Sequence, residues 1–133
     1  MATGKQFGDV VTSQYHDKCN WGELHELHVL LIMIILSYNC RGLGRGIKWA
    51  AIRKLNLKHK VDLVCIQETK KENFNKLICQ AIWGDSNVSW DSVPSVHTSG
   101  GLLCMWNNSV FEVDRRVKGR NFLMLVGRWT KDN

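Results

Sequence analysis

The sequence has no apolar run long enough to cross a membrane and shows no secretory leader pattern. Its longest apolar stretch, from Val29 to Leu36, is far shorter than the roughly 20 residues that a transmembrane helix requires. The acidic residues Asp17, Glu23 and Glu26 precede that stretch, where a signal peptide carries basic residues. We therefore expect an intracellular protein, nuclear or cytoplasmic, with no membrane partner, and we make no prediction of its oligomeric state.

Cysteine pairs at metal-binding spacing are also missing. The chain has five cysteines, none of them in a CxxC pair, and the number is odd. Cys65 and Cys104 lie inside apolar runs, where thiols are usually buried. This pattern predicts buried thiols in a reducing compartment and argues against a disulfide framework.

Internal repeats, low-complexity segments and nucleotide-binding loops are absent as well. The turn from Gly42 to Gly46 has three glycines but matches neither GxGxxG nor GxxxxGK[ST]. Charge is distributed unevenly, with a net −2 over residues 1–32 and +8 over residues 33–133. Such a basic region favours a polyanionic partner, above all nucleic acid, although a globular domain can be equally basic without one.

The stretch from Met33 to Thr69 has the pattern of a strand, a helix and a second strand. Met33 to Tyr38 and Val61 to Ile66 are apolar runs of strand length. Between them, the segment from Gly46 to His59 has apolar residues at helical spacing, namely Ile47, Ala51, Ile52 and Leu55. A unit of this kind has two parallel strands.

Asn39 and Glu68 follow those two strands and become the candidate site residues. If the strands are neighbours, both side chains emerge at the carboxyl edge of the sheet, where open α/β sheets place their sites. A carboxylate there suits Mg²⁺ (or Mn²⁺), which takes one or two carboxylates together with water and phosphate. Two simpler readings stay open: Asn39 as a residue that ends a strand with a turn, and Glu68 as a solvated carboxylate at a helix start.

The remaining chain predicts one further helix and several sequential strands. Thr69 and Glu72 have capping-box spacing, which predicts a helix starting directly after Glu68 and ending at Gly84. Its predicted buried stripe is Phe74, Leu77, Ile78, Ala81 and Ile82. Strands are predicted over Val88 to Val93, Leu102 to Trp106, Val110 to Val113 and Asn121 to Trp129.

The motifs SYNCRGLG, CIQETK and SGGLLCMWN together resemble the endonuclease/exonuclease/phosphatase superfamily, which includes DNase I-like and AP-endonuclease-like proteins. The endonuclease domain of plant LINE-type retrotransposons is the most similar member type. The resemblance implies an α/β fold, the N-terminal half of a DNase I-like four-layer sandwich with a mixed sheet and two helices. It further implies Mg²⁺-dependent DNA cleavage, with Asn39 and Glu68 as catalytic and metal-binding residues.

The resemblance also implies further active-site motifs, and these are not found in this sequence. The family's later Tyr, Asp-x-Asn and Ser-Asp-His motifs have no counterpart here, so we expect a truncated domain over residues 33–133 that is inactive alone. Residues 1–32 are predicted to be an unrelated or disordered extension. Arg41 and Arg45 are predicted contacts to nucleic-acid phosphates. The alternatives are a small basic nucleic-acid-binding module without catalysis, or an active nuclease completed by a second chain.

Overall fold

The computed structural model describes the backbone of residues 2–7, 10–20 and 26–130, and the side chains of residues 33–130. It has an α/β fold in which eight strands and two helices are assigned to the described residues. In chain order the elements are β1 (Ala2–Phe7), β2 (Val10–Asn20), β3 (Glu26–Asn39), α1 (Ile47–His59), β4 (Leu63–Gln67), α2 (Lys76–Trp83), β5 (Val88–Val93), β6 (Leu102–Asn107), β7 (Phe111–Lys118) and β8 (Leu123–Trp129).

Six strands form one mixed sheet with the order β1-β2-β3-β4-β6-β5, and β7 and β8 form a separate two-stranded sheet. β3 and β4 are parallel neighbours joined through α1, which confirms the predicted strand-helix-strand unit. The pairs β4–β6, β5–β6 and β7–β8 are antiparallel. The mixed sheet and two helices agree with the predicted α/β class.

One face of the larger sheet packs against both helices. Alternate residues of β3, β4 and β6 point to this face, because successive side chains of a strand lie on opposite sides. They form a continuous core with the inner residues of α1 and α2, and the fully buried members include Leu36, Val64, Leu103, Met105, Ile52 and Ile82.

The opposite face is covered by the hairpin of β7 and β8. Leu63, Cys104 and Trp106 are buried there beneath half-buried apolar residues of the hairpin, namely Phe111, Val113, Leu123 and Leu125. An irregularity in the pairing between Val113 and Arg115 shifts the alternation of β7. The larger sheet is thus an inner layer between helices and hairpin.

The structure corrects the predicted buried face of α1. The helix spans Ile47–His59 as expected, but Ile47 is 91% exposed and Ala51 is exposed too. The buried residues are Ile52 and Asn56. The Asn56 Nδ2 donates to the Trp83 carbonyl at 2.7 Å, so α1 meets the end of α2 through a buried polar contact that apolar spacing does not reveal.

The predicted start of the second helix is wrong. α2 begins at Lys76, and its N-cap is Asn75, whose Oδ1 accepts a hydrogen bond from the Ile78 amide at 2.9 Å. Thr69 is completely buried, and its Oγ1 accepts from the Lys71 amide at 3.4 Å instead of capping a helix. Gly84 ends α2 with φ +113°, as predicted, but Leu77 of the predicted stripe is 77% exposed.

The four cysteines whose side chains are described are free thiols, as predicted. Cys40, Cys79 and Cys104 are buried and Cys65 is half-buried. Cys65 and Cys104 are direct partners across β4 and β6, with 3.7 Å between their sulfur atoms. Burial raises the pKa of the Cys79 thiol to about 12.

Strands β1, β2 and the first part of β3 occupy most of the segment before Met33. β1 pairs with β2 and β2 pairs with β3, both antiparallel. The sequence expectation for residues 1–32 was an unrelated or disordered extension, and the proposed boundary at residue 33 stays a prediction. Neither helix of the described chain is long and apolar enough to cross a membrane.

Candidate metal and nucleic-acid site

Asn39 and Glu68 lie beside each other at the carboxyl edge of the parallel pair. Asn39 is the last residue of β3 and is the register partner of Gln67, the residue before Glu68. Neighbouring strands are about 5 Å apart, so Asn39 and Glu68 are separated by one strand spacing and one residue step along the chain. Both residues are exposed. An amide and a carboxylate are thus open to solvent at one edge of the sheet, and their role in a site stays a prediction.

The turn after β3 is organised by the Asn39 side chain. Its Oδ1 accepts a hydrogen bond from the Arg41 amide at 3.2 Å, the pattern of an Asx turn. Arg41 and Gly42 both have left-handed backbones, with φ of 49° and 97°. Asn39 is thus a turn residue, as one of the open readings held. The bond occupies one lone pair of Oδ1 and leaves the amide Nδ2 protons for a ligand.

Glu68 belongs to a short segment that is hydrogen-bonded on both sides. The carbonyls of Gln67, Glu68 and Thr69 accept from the amides of Cys40, Gly42 and Leu43 at 2.7–3.0 Å. On the other side, the amides of Thr69 and Lys70 donate to Gly101 and Gly100.

These bonds explain why no helix begins at Thr69. The peptide groups of residues 67–70 are bound to two neighbouring loops and cannot form helical bonds. Glu68 itself has φ 53°, a left-handed conformation uncommon for a residue with a side chain. The reading of Glu68 as a helix-start carboxylate is therefore wrong, since α2 begins eight residues later, at Lys76.

The ammonium group of Lys48 binds the carbonyl groups of this turn. Its Nζ donates to the carbonyls of Cys40 and Gly42, and reaches that of Arg41 at 3.5 Å. Three carbonyl oxygens thus surround one ammonium group, which holds the turn against the first residues of α1. The Cys40 thiol lies beneath the same turn, 3.4 Å from the carbonyl oxygens of Gln67 and Glu68, and burial raises its pKa.

The positive charge on the outer side of the turn comes from exposed residues. Arg41 and Arg45 are both exposed, and neither forms an ion pair within residues 33–130. Lys70, exposed with φ 54°, adds a third cation next to Glu68. The role of Lys48 was not predicted from the sequence, because only the fold shows that this lysine meets the turn.

The donor set at the edge fits a hard divalent cation in kind but supplies a single carboxylate. Oxygen ligands are what Mg²⁺ prefers, and it tolerates one carboxylate with several waters. Over the residues that the structure describes, no group of three or more His, Cys, Asp or Glu side chains could hold a metal ion. Glu68 would be the charged protein ligand of a cation held at this edge.

Comparison with known proteins adds no assignment: no protein-family model matches the sequence, and no curated protein matches it at a significant level.

Proposed function

We propose that this chain carries the metal-binding and phosphate-binding side of a Mg²⁺-dependent DNA endonuclease site of the LINE retrotransposon type, on part of a DNase I-like sandwich. The observation that carries the proposal is the register of β3 with β4. This register sets the exposed amide of Asn39 beside the exposed carboxylate of Glu68 at one sheet edge.

The layering of the fold supports the sandwich assignment. Helices cover one face of the mixed sheet, and a second, smaller sheet covers the other through an apolar contact. A sheet that is buried on both faces is the inner layer of such a sandwich.

Each residue at the edge would contact a different part of a bound phosphodiester or its metal ion. A bound Mg²⁺ (or Mn²⁺) supplies charge stabilisation on phosphoryl oxygens and activates water. Glu68 would hold the ion. Asn39, fixed by its own turn, would donate its Nδ2 protons to a phosphate oxygen. Arg41 and Arg45 would contact flanking phosphates, which positions the nucleic acid without reading its sequence.

We expect the chain to bind DNA without cleaving it. Hydrolysis gains roughly 10² to 10⁴ from a positioned acid or base, and over the described residues no group of three or more His, Cys, Asp or Glu side chains is gathered into such a centre. A small basic binding module is the second candidate function, and the single carboxylate favours it. The two candidate functions differ in whether Mg²⁺ bound at Glu68 strengthens DNA binding.

A supercoiled-plasmid nicking assay combined with DNA binding by fluorescence anisotropy tests the proposal. We expect salt-sensitive binding that Mg²⁺ strengthens at constant ionic strength, and no nicking. Glu68→Gln should abolish the Mg²⁺ effect, whereas Glu112→Gln, which neutralises an exposed carboxylate on the hairpin, should preserve it.

Each other outcome has a distinct meaning. Binding that is indifferent to Glu68→Gln would support the module without a metal site. Nicking that disappears in Glu68→Gln would show an active nuclease, the alternative in which a second chain completes the site. Absence of salt-sensitive DNA binding would refute both candidate functions.

A further inference from the structure

A cavity of about 440 Å³ lies between the loop that precedes β6 and the turn of the β7–β8 hairpin. The polar residues and glycines that line it are His97, Ser99, Gly100, Gly101, Arg120 and Asn121. Its lining contains no acidic side chain. Pro94 and Val96 complete the lining, and its polar part combines hydrogen-bond donors with one permanent cation, which favours an anionic ligand over a cationic one.

The cavity adjoins the candidate site. Its Gly100 and Gly101 carbonyls accept hydrogen bonds from the amides of Lys70 and Thr69, at 2.8 and 3.1 Å, next to Glu68. Gly101 is held close to that segment, since a side-chain carbon at this position would overlap the Thr69 hydroxyl. The cavity wall and Glu68 are therefore fixed relative to each other by short backbone contacts.

The backbone of this wall leaves an amide group unused. A trans peptide directs its N–H opposite to its C=O, so the Gly101 amide points away from Lys70, to which the Gly100 carbonyl is bonded. No acceptor for the Gly101 amide is present among residues 33–130. Gly100 and Gly101 have φ of 75° and 93°, conformations that a residue with a side chain rarely adopts.

The hairpin turn presents the cation in a defined position. The Gly119 amide donates to the Phe122 carbonyl at 3.0 Å, which closes a four-residue turn with Arg120 and Asn121 at its centre. The Phe122 ring lies directly against Gly119. Arg120 is exposed and forms no ion pair within the described side chains.

From these features we infer that the cavity is a second phosphate subsite, which binds a backbone phosphate of the same nucleic acid that reaches Glu68. This inference rests on the proposed function. The Arg120 guanidinium supplies the charge and several donors, and the Asn121 amide and the Gly101 N–H complete the set. A planar guanidinium suits a phosphate because it can donate two parallel hydrogen bonds.

Arg120→Gln and Arg128→Gln form a matched pair for the test. Each removes one positive charge from the same hairpin, but Arg128 pairs with Glu112 and Asp114 and does not line the cavity. Binding of a short labelled DNA duplex is measured by anisotropy over a series of salt concentrations. Unchanged urea midpoints confirm that both variants are folded.

Arg120→Gln should weaken duplex binding about tenfold at low salt and lower the salt-dependence slope by about one, as expected for one lost phosphate contact. Arg128→Gln should leave affinity within about twofold. Equal effects of the two variants would show that DNA affinity depends only on the total positive charge of the hairpin, and would overturn the subsite. No effect of Arg120→Gln would also overturn it.

A titration with inorganic phosphate, followed by amide NMR shifts, separates this inference from the proposed function. Shifts at Gly100, Gly101 and Asn121 that disappear in Arg120→Gln support the cavity as a phosphate site. The same shifts in a protein that does not bind the duplex would assign the cavity to a small free phosphate and refute the nucleic-acid assignment. No shifts and no duplex effect would remove the subsite while leaving the Glu68 proposal to its own assay.

Discussion

Asp91 anchors the hairpin to the larger sheet and offers a test of how the two layers are held. The residue lies on β5, is 6% exposed, and has two cationic partners on β7, Arg116 and Lys118. The Arg116 side chain is 50% exposed and that of Lys118 is 45% exposed. The Asp91 Oδ2 has no hydrogen-bond partner in the described chain and lies 3.6 Å from the Arg116 Nη1. Ion pairing with the two cations therefore compensates much of the carboxylate charge.

The unequal burial predicts unequal costs of mutation. In Asp91→Asn, both cations can return to water and the Oδ1 that accepts from the Ser92 amide at 2.8 Å is kept, so the loss should be about 1 kcal/mol. In the double variant Arg116→Gln with Lys118→Gln, the buried carboxylate loses both of its cationic partners. That change should cost about 3 kcal/mol, part of it from the contact of Arg116 with the Trp106 ring at 5.8 Å.

Urea unfolding at neutral pH measures these costs. The triple variant, which adds Asp91→Asn to the double variant, should recover most of the lost stability, because it removes the uncompensated charge. The urea m-value should stay constant across the series. A triple variant no more stable than the double variant, or an Asp91→Asn loss equal to that of the double variant, would refute the reasoning.

Three further predictions concern the turn, α2 and the buried thiols. Lys48→Met should lower the free energy of unfolding by about 2 kcal/mol, because three carbonyls lose the ammonium group that they share. The control Lys54→Met, on the exposed side of α1, should change it by less than about 0.5 kcal/mol. Equal urea midpoints for the two variants would contradict this prediction. Asn75→Ala should lower the free energy of unfolding by about 1 kcal/mol because α2 loses its N-cap, and Glu72→Gln should leave that free energy almost unchanged. The reverse order would support a capping box at Thr69 and Glu72. Because burial raises the pKa of Cys79 from 9.0 to about 12, the neutral thiol stabilises the fold fully below pH 9 and progressively less from pH 9 to 12. The alkaline loss in urea unfolding should therefore be smaller in Cys79→Ala, and an identical loss would count against this reading.

The positions of β4, β5, β6 and β8 and the parallel β3–β4 pair were predictable from the sequence because they depend on local apolar runs. The prediction was too short for β3, which begins at Glu26, and for β7, which extends to Lys118. β5 was predicted with its observed bounds, Val88–Val93, and β6 extends one residue beyond its prediction to Asn107. The candidate site residues were chosen from the same pattern, since Asn39 ends β3 and Glu68 directly follows β4. Chain direction and parallel pairing are enough to bring such residues to one edge.

Helix faces and helix starts were harder, because they depend on contacts distant in sequence. Asn56 is buried for its bond to the Trp83 carbonyl, and Ile47 is exposed because nothing covers the start of α1 on that side. The Thr69 and Glu72 spacing matched a capping box, but the peptide groups of that segment bind Gly100 and Gly101, which follow about thirty residues later. No local pattern contains that information.

The most direct test of the central claim is paramagnetic broadening of amide NMR signals by Mn²⁺, since it locates the ion without requiring cleavage. The signals of residues 39–42 and 67–70 should broaden first, Glu68→Gln should abolish the effect, and Glu112→Gln should leave it intact. Broadening centred elsewhere, or unchanged in Glu68→Gln, would contradict a metal site built on Asn39 and Glu68.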